Sequence, residues 1–103
     1  MSPVSTARLD ELIEQATVDC YNEDEQLTGL FTMVQENLSM PFDTTVLGVD
    51  VTVEDIDLTG TGQIVAICVR GAARQAIPIL ELPLPTPPPV GVEWIEAYRR
   101  WIR

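Results

Sequence analysis

The stretch Val49-Asp50-Val51-Thr52-Val53-Glu54-Asp55-Ile56-Asp57-Leu58 contains two apolar phases in ten residues. Val49, Val51 and Val53 alternate with Asp50, Thr52 and Glu54, the pattern of a strand with one face buried. After Glu54 the phase slips, and Ile56 and Leu58 alternate with Asp55 and Asp57. A slip of one residue turns every later side chain over, so a bulge or bend is expected near Glu54-Asp55. The period of two begins at Phe42, and what precedes it is helical.

Upstream, Ser5 or Thr6 can cap a first helix. Leu9, Leu12, Ile13 and Ala16 fall at i, i+3, i+4 and i+7 on one face, with Asp10, Glu11 and Glu14 on the other. This helix should end before Asp19. Asn22 is a good cap for a second helix, and Glu25 three residues later completes something close to a capping box. Leu27, Leu30, Phe31, Val34 and Leu38 form its apolar stripe, with Met33 beside it. Pro41 stops it, because the residue before a proline avoids the α region.

Downstream, Gly60-Thr61-Gly62 reads as a turn. Ile64 to Val69 is continuously apolar and reads as a central strand covered on both faces. Gly71-Ala72-Ala73 reads as a hairpin loop, and Gln75 to Leu80 as a strand that Pro78 confines to an edge. Residues 81–92 form a proline-rich connector, with five prolines between Leu82 and Pro89. The Pro85-Thr86-Pro87-Pro88-Pro89 run has PxxP spacing, but polyproline II more simply serves here as a stiff spacer. In the last helix Trp94, Ile95, Tyr98, Trp101 and Ile102 share a face, which reads as packing into the protein's own core. Its early glutamates, Glu93 and Glu96, and its late arginines, Arg99, Arg100 and Arg103, suit the helix dipole.

The order is two helices, an antiparallel meander of three to five strands, and a helix, which makes a single α+β domain over residues 1–103. A short curved meander with a bulge could also close into a small SH3-like barrel.

The chain has 103 residues, 46% of them apolar and 21% charged, which suits a globular protein with one core. Sixteen acids face six basic residues, all arginine, for a net charge of −10. Residues 1–69 hold 13 of the acids and only Arg8, so their surface should concentrate cations or a basic partner. Nucleic acid is an unsuitable partner for such a surface. No apolar run of about 18 residues and no charged leader points to a membrane. Cys20 and Cys68 lack CxxC spacing, so they read as reduced, packed thiols of a cytoplasmic protein. Histidine is absent, and with it the commonest general base, so no enzymatic activity is expected.

Asp19-Cys20-Tyr21-Asn22-Glu23-Asp24-Glu25 places four carboxylates within seven residues. Such a group repels itself unless solvent, arginine or a cation neutralises it. Acids in the first turn of a helix favour its dipole, so part of the cluster is explained by capping alone. A hard cation is the second explanation, with Asp43 past the far end of the helix and Asp50, Asp55 and Asp57 on the first β segment as further oxygen donors. An EF-hand loop is excluded, because Asp24 stands where its turn needs glycine and Leu30 where its bidentate glutamate belongs.

Val18-Asp19-Cys20-Tyr21-Asn22-Glu23-Asp24-Glu25-Gln26, Thr28-Gly29, Pro41-Phe42, Gly48 with the valine-rich strand after it, and Gln75-Ala76-Ile77-Pro78 together resemble the CcbP-like family. These are small acidic bacterial calcium-binding proteins unrelated to EF-hands. The resemblance implies a compact α+β domain that buffers or senses calcium. It carries the ligand role onto Asp19, Glu23, Asp24, Glu25 and Asp43. Asp50 and Asp57 join that set for their charge. The proline run and the Trp/Arg helix lie outside the calcium assignment. The competing expectation is an acidic interaction module that docks a basic protein without metal.

Overall fold

In the computed structural model, which describes residues 5–102, three helices pack together on one side of a four-stranded antiparallel sheet, the second of them making the main contact with the strands. The order is α1 (Thr6–Thr17), α2 (Glu23–Asn37), β1 (Phe42–Val46), β2 (Val49–Leu58), β3 (Ile64–Arg70), β4 (Ala73–Pro78) and α3 (Val92–Ile102). Arg103, the last of the arginines expected at the end of α3, lies outside the described residues. The fold is α+β, with helices segregated from strands.

Local chemistry accounts for the helix starts. Ser5 caps α1 by accepting from the Arg8 N–H, and Asn22 caps α2 by accepting from the Glu25 N–H at 2.9 Å. The capping box at Asn22 differs in detail from the expectation. The Glu25 carboxylate accepts from the Tyr21 N–H at 3.4 Å and from the Asn22 side-chain amide at 3.3 Å, so its return bond lies one residue upstream. Gly29 lets α2 cross close to α1, because any Cβ there would run into the Ala16 carbonyl oxygen.

The sheet order is β1-β2-β3-β4, and every neighbour is antiparallel. The register of β2 on β3 shifts between Val53 and Asp55, leaving Glu54 as the extra, bulged residue. This is the slip expected from the alternation, and its effect is conservative. Val53 and Ile56 are both buried on the helix side although they are three positions apart.

The inner face of the sheet therefore stays apolar along its length. It joins Leu12, Leu30, Val34, Ile79, Trp94, Ile95 and Tyr98 in one core. The helix aromatics pack inward as expected, and the Trp101 indole N–H donates to the Gln26 side-chain oxygen at 3.0 Å.

Three expectations need correction. The SH3-like barrel does not close: β1 and β4 remain the two edges of an open sheet. The chain leaves β4 at Pro78, turns once through a 3-10 helix at Ile79–Glu81, and runs as a proline strap past β1. There the Thr44 hydroxyl donates to the Pro83 carbonyl. Prolines carry no N–H, so this strap cannot continue the ladder.

Secondly, β4 ends at Pro78 and not at Leu80, because the 3-10 turn takes over. Thirdly, β3 is closed mainly on its inner face. Ile64, Ala66 and Cys68 are buried there, and on the outer face Val65 is buried while Ile67 and Val69 keep part of their surface open.

Candidate functional site

The register decides where the acids stand. Phe42, Thr44 and Val46 pair with Val53, Val51 and Val49, and all of these lie on the inner face of the sheet. Asp43 pairs with Thr52 and Thr45 with Asp50, so these four side chains project from the opposite, outer face. Beyond the bulge, Asp55 and Asp57 pair with Ile67 and Val65 and project from that face too.

The candidate carboxylates fall into three places. Asp43 and Asp50 stand diagonally across the β1–β2 hairpin, each fixed by a threonine. The Thr52 hydroxyl donates to Asp43 at 2.7 Å and the Thr45 hydroxyl to Asp50 at 3.1 Å. The pair lines two clefts. One, of about 260 Å³, is closed by Pro83, Leu84 and Pro85 of the strap; the other, of about 510 Å³, runs toward Arg70 and Gly71.

Asp57 lies seven residues along β2 from Asp50, roughly 20 Å away at strand rise. Its carboxylate accepts from the following Leu58 N–H at 2.8 Å, and Asp55 does the same with Ile56.

Asp19, Glu23, Asp24 and Glu25 form the third group, at the mouth of α2. Fifteen helical residues span about 22 Å and separate this group from the chain that enters β1. Asp19 has a left-handed backbone, with φ of +62°. Glu25 is engaged in the cap. The structure therefore does not join the cluster to Asp43 as two halves of one site. Among the described residues no three carboxylate or thiol side chains gather into a group able to hold a metal.

All seven carboxylates expected as ligands are exposed, and their neutralisation is the informative part. Among the described residues Arg8 pairs with Glu11, Arg74 with Glu54, Arg99 with Glu96, and Arg100 with Asp10. Arg70 donates to the Asp50 backbone carbonyl at 2.9 Å. None of these arginines forms an ion pair with Asp19, Glu23, Asp24, Glu25, Asp43, Asp50 or Asp57.

Arg100 instead holds the Asp10 carboxyl below its ordinary value through two hydrogen bonds across α3 and α1. Both cysteines are free. Burial pushes the Cys68 thiol up, which suits a packed cysteine, while Cys20 is half-buried and donates to the Glu25 carbonyl.

Sequence reasoning overlooks the two threonines. Their signal is the arrangement of Asp43, Thr45, Asp50 and Thr52, symmetrical about Leu47-Gly48. Taking that dipeptide as a two-residue turn pairs each acid with its hydroxyl. No family, curated protein or solved structure matches the chain, and no described helix is long and apolar enough to cross a membrane.

Proposed function

We propose that this domain binds calcium on its acidic surface, as an intracellular buffer or sensor, with Asp43 and Asp50 as the principal pair of carboxylates. The observation that carries the reading is the distribution of arginines. Four described arginines pair with other acids, and the fifth, Arg70, binds the Asp50 backbone carbonyl at the border of the cleft, so among the described residues no arginine forms an ion pair with the candidate carboxylates, which leaves them open to a cation.

Asp43 and Asp50 suit a hard cation because two carboxylates and two hydroxyls stand together on one exposed face of the hairpin. Water can complete the six to eight oxygens that calcium takes. The resemblance of Val18–Gln26 and Pro41-Phe42 to the CcbP-like proteins supports the same chemistry. In this reading the cluster at α2 acts mainly as a helix cap and as an electrostatic attractor, with Glu23 and Asp24 available for weaker binding.

The test is thermal unfolding with calcium, with magnesium at equal ionic strength, and with chelator. Binding to the folded state alone stabilises it by RT ln(1 + [L]/Kd), about 2.7 kcal/mol at one hundred times Kd. A shift specific to calcium that disappears when Asp43→Asn and Asp50→Asn are combined supports the reading. Equal shifts with both cations discard it.

A second reading rests on the dispersal of the acids over three exposed places, which suits a broad basic partner better than chelation. It requires binding to a cationic peptide that weakens as salt screens the surface, without any calcium-specific shift.

A further inference from the structure

We propose that the groove where α1 and α2 cross docks a cationic amphipathic segment of a partner protein, with its apolar side chains between the helices and its lysines or arginines on the acidic rim. The groove exists because the crossing is made of small residues. A Cβ on Gly29 would run into the Ala16 carbonyl oxygen, so the two backbones meet there with little side chain to fill the angle beside them. What remains is an open groove of about 570 Å³, in which Val18, Cys20 and Met33 supply apolar wall.

Thr28 and Thr32 line it too, but each donates its hydroxyl to a helix carbonyl one turn back, at 3.0 and 2.9 Å. Val18 is 67% exposed, and Tyr21, between the lining residues Cys20 and Asn22, is 89% exposed. The fold itself therefore leaves this apolar surface uncovered.

Charge selects the occupant. Asp24 lines the groove, Asp19 and Glu23 lie on the loop and first helical turn beside it, and no described arginine pairs with any of the three. Three carboxylates outweigh the roughly half positive charge of a helix N-terminus, so the rim is negative. A second copy of this chain would bring a net charge of −10 and be repelled. A small apolar molecule would keep much of its surface wet in so open a groove. An amphipathic segment buries one row of side chains there and keeps its charges outside, on the rim. The exposed Tyr21 ring offers one of those cations an aromatic face. This site lies apart from Asp43 and Asp50, so docking is independent of the calcium reading. It differs from a broad basic partner in needing an apolar anchor.

The test is fluorescence anisotropy of a labelled helical peptide of lysines and leucines, with one apolar face, titrated with the full chain in chelator. Two peptides of equal length serve as comparisons, one with serine for leucine and one with glutamate for lysine. The lysine–leucine peptide should bind at least about tenfold more tightly than either. Thr32→Arg, at an exposed position in the groove, fills it and reverses its charge. This chain should melt as the parent does and bind at least about tenfold more weakly. Val18→Ser should also weaken binding. Equal affinity for the leucine and serine peptides overturns the proposal, because charge alone is then read. Equal affinity for the lysine and glutamate peptides overturns it as well, and so does no binding of the lysine–leucine peptide at about 1 mM chain. Unchanged affinity in a folded Thr32→Arg chain has the same consequence. Should that variant melt lower, unchanged affinity in Val18→Ser decides against the proposal instead.

Discussion

On the inner face of the sheet Val53, Ile56, Ile64, Ala66 and Cys68 are buried beneath the helices, whereas on the outer face Asp43, Asp50, Asp55 and Asp57 stand in solvent. The same strand supplies both sides: β2 contributes Val53 and Ile56 to one and Asp50, Asp55 and Asp57 to the other. The inner face has shape and little charge, so its free energy comes from area removed from water and from close packing. The outer face has charge and little shape, so it answers to ions and salt. Stability and ion response are thus separable in this domain, and single substitutions can address either one.

The sharpest way to break the separation is to exchange the faces. Inserting one alanine between Glu54 and Asp55, with the bulge still holding a single extra residue, turns Ile56 and Leu58 outward while driving Asp55 and Asp57 toward the core. Burying two carboxylates and exposing two apolar side chains should abolish the folded state at room temperature, seen as loss of the cooperative transition in circular dichroism. Retention of a cooperative transition would mean that β2 slides to restore its pairing elsewhere.

Next in size is Ile56→Ala, which empties a fully buried position and should cost about 2–5 kcal/mol by urea denaturation. It should leave any calcium-induced increment unchanged once the lower baseline is subtracted, because Ile56 does not touch the outer face.

The converse variant, Asp43→Asn with Asp50→Asn, should change stability in chelator by no more than about 0.5 kcal/mol while removing the calcium-specific increment. A large loss of stability in chelator would show that the threonine–aspartate pairs belong to the framework.

The smallest effect concerns Asp10, the acid that does have an arginine. Because Arg100 lowers its folded value below the ordinary 3.8, the folded chain binds fewer protons than the unfolded chain in mild acid. Its contribution is present above pH about 4 and fades as the pH falls through the lowered value. Both side chains are substantially exposed, so the contribution is modest. Asp10→Asn should make the denaturation midpoint fall less steeply on the acid side, and raising salt should shrink the difference between the two chains.

Much of the framework is legible in the order of residues. Ser5, Asn22 and Pro41 mark helix boundaries, and the slip at Glu54-Asp55 marks the bulge, because capping and side-chain alternation act over three or four residues. The end of β4 is harder. Ile79 and Leu80 continue an apolar run, and only their place beneath α3 draws them into a 3-10 turn and the core. The candidate site is the least readable part. Which acids share a cleft depends on a turn at Leu47-Gly48 that lacks the usual Asn-Gly signal.

The sequence alone determined the order of the elements, their caps, the bulge and the asymmetry of charge, since each follows from interactions between near neighbours. Only the tertiary structure decided that the sheet stays open behind a proline strap and that Asp43 stands with Asp50, far from the mouth of α2. It also decided that Arg100 serves Asp10 from ninety residues away. These are consequences of strand register and helix length, which set separations of roughly 20 Å that local pattern does not encode.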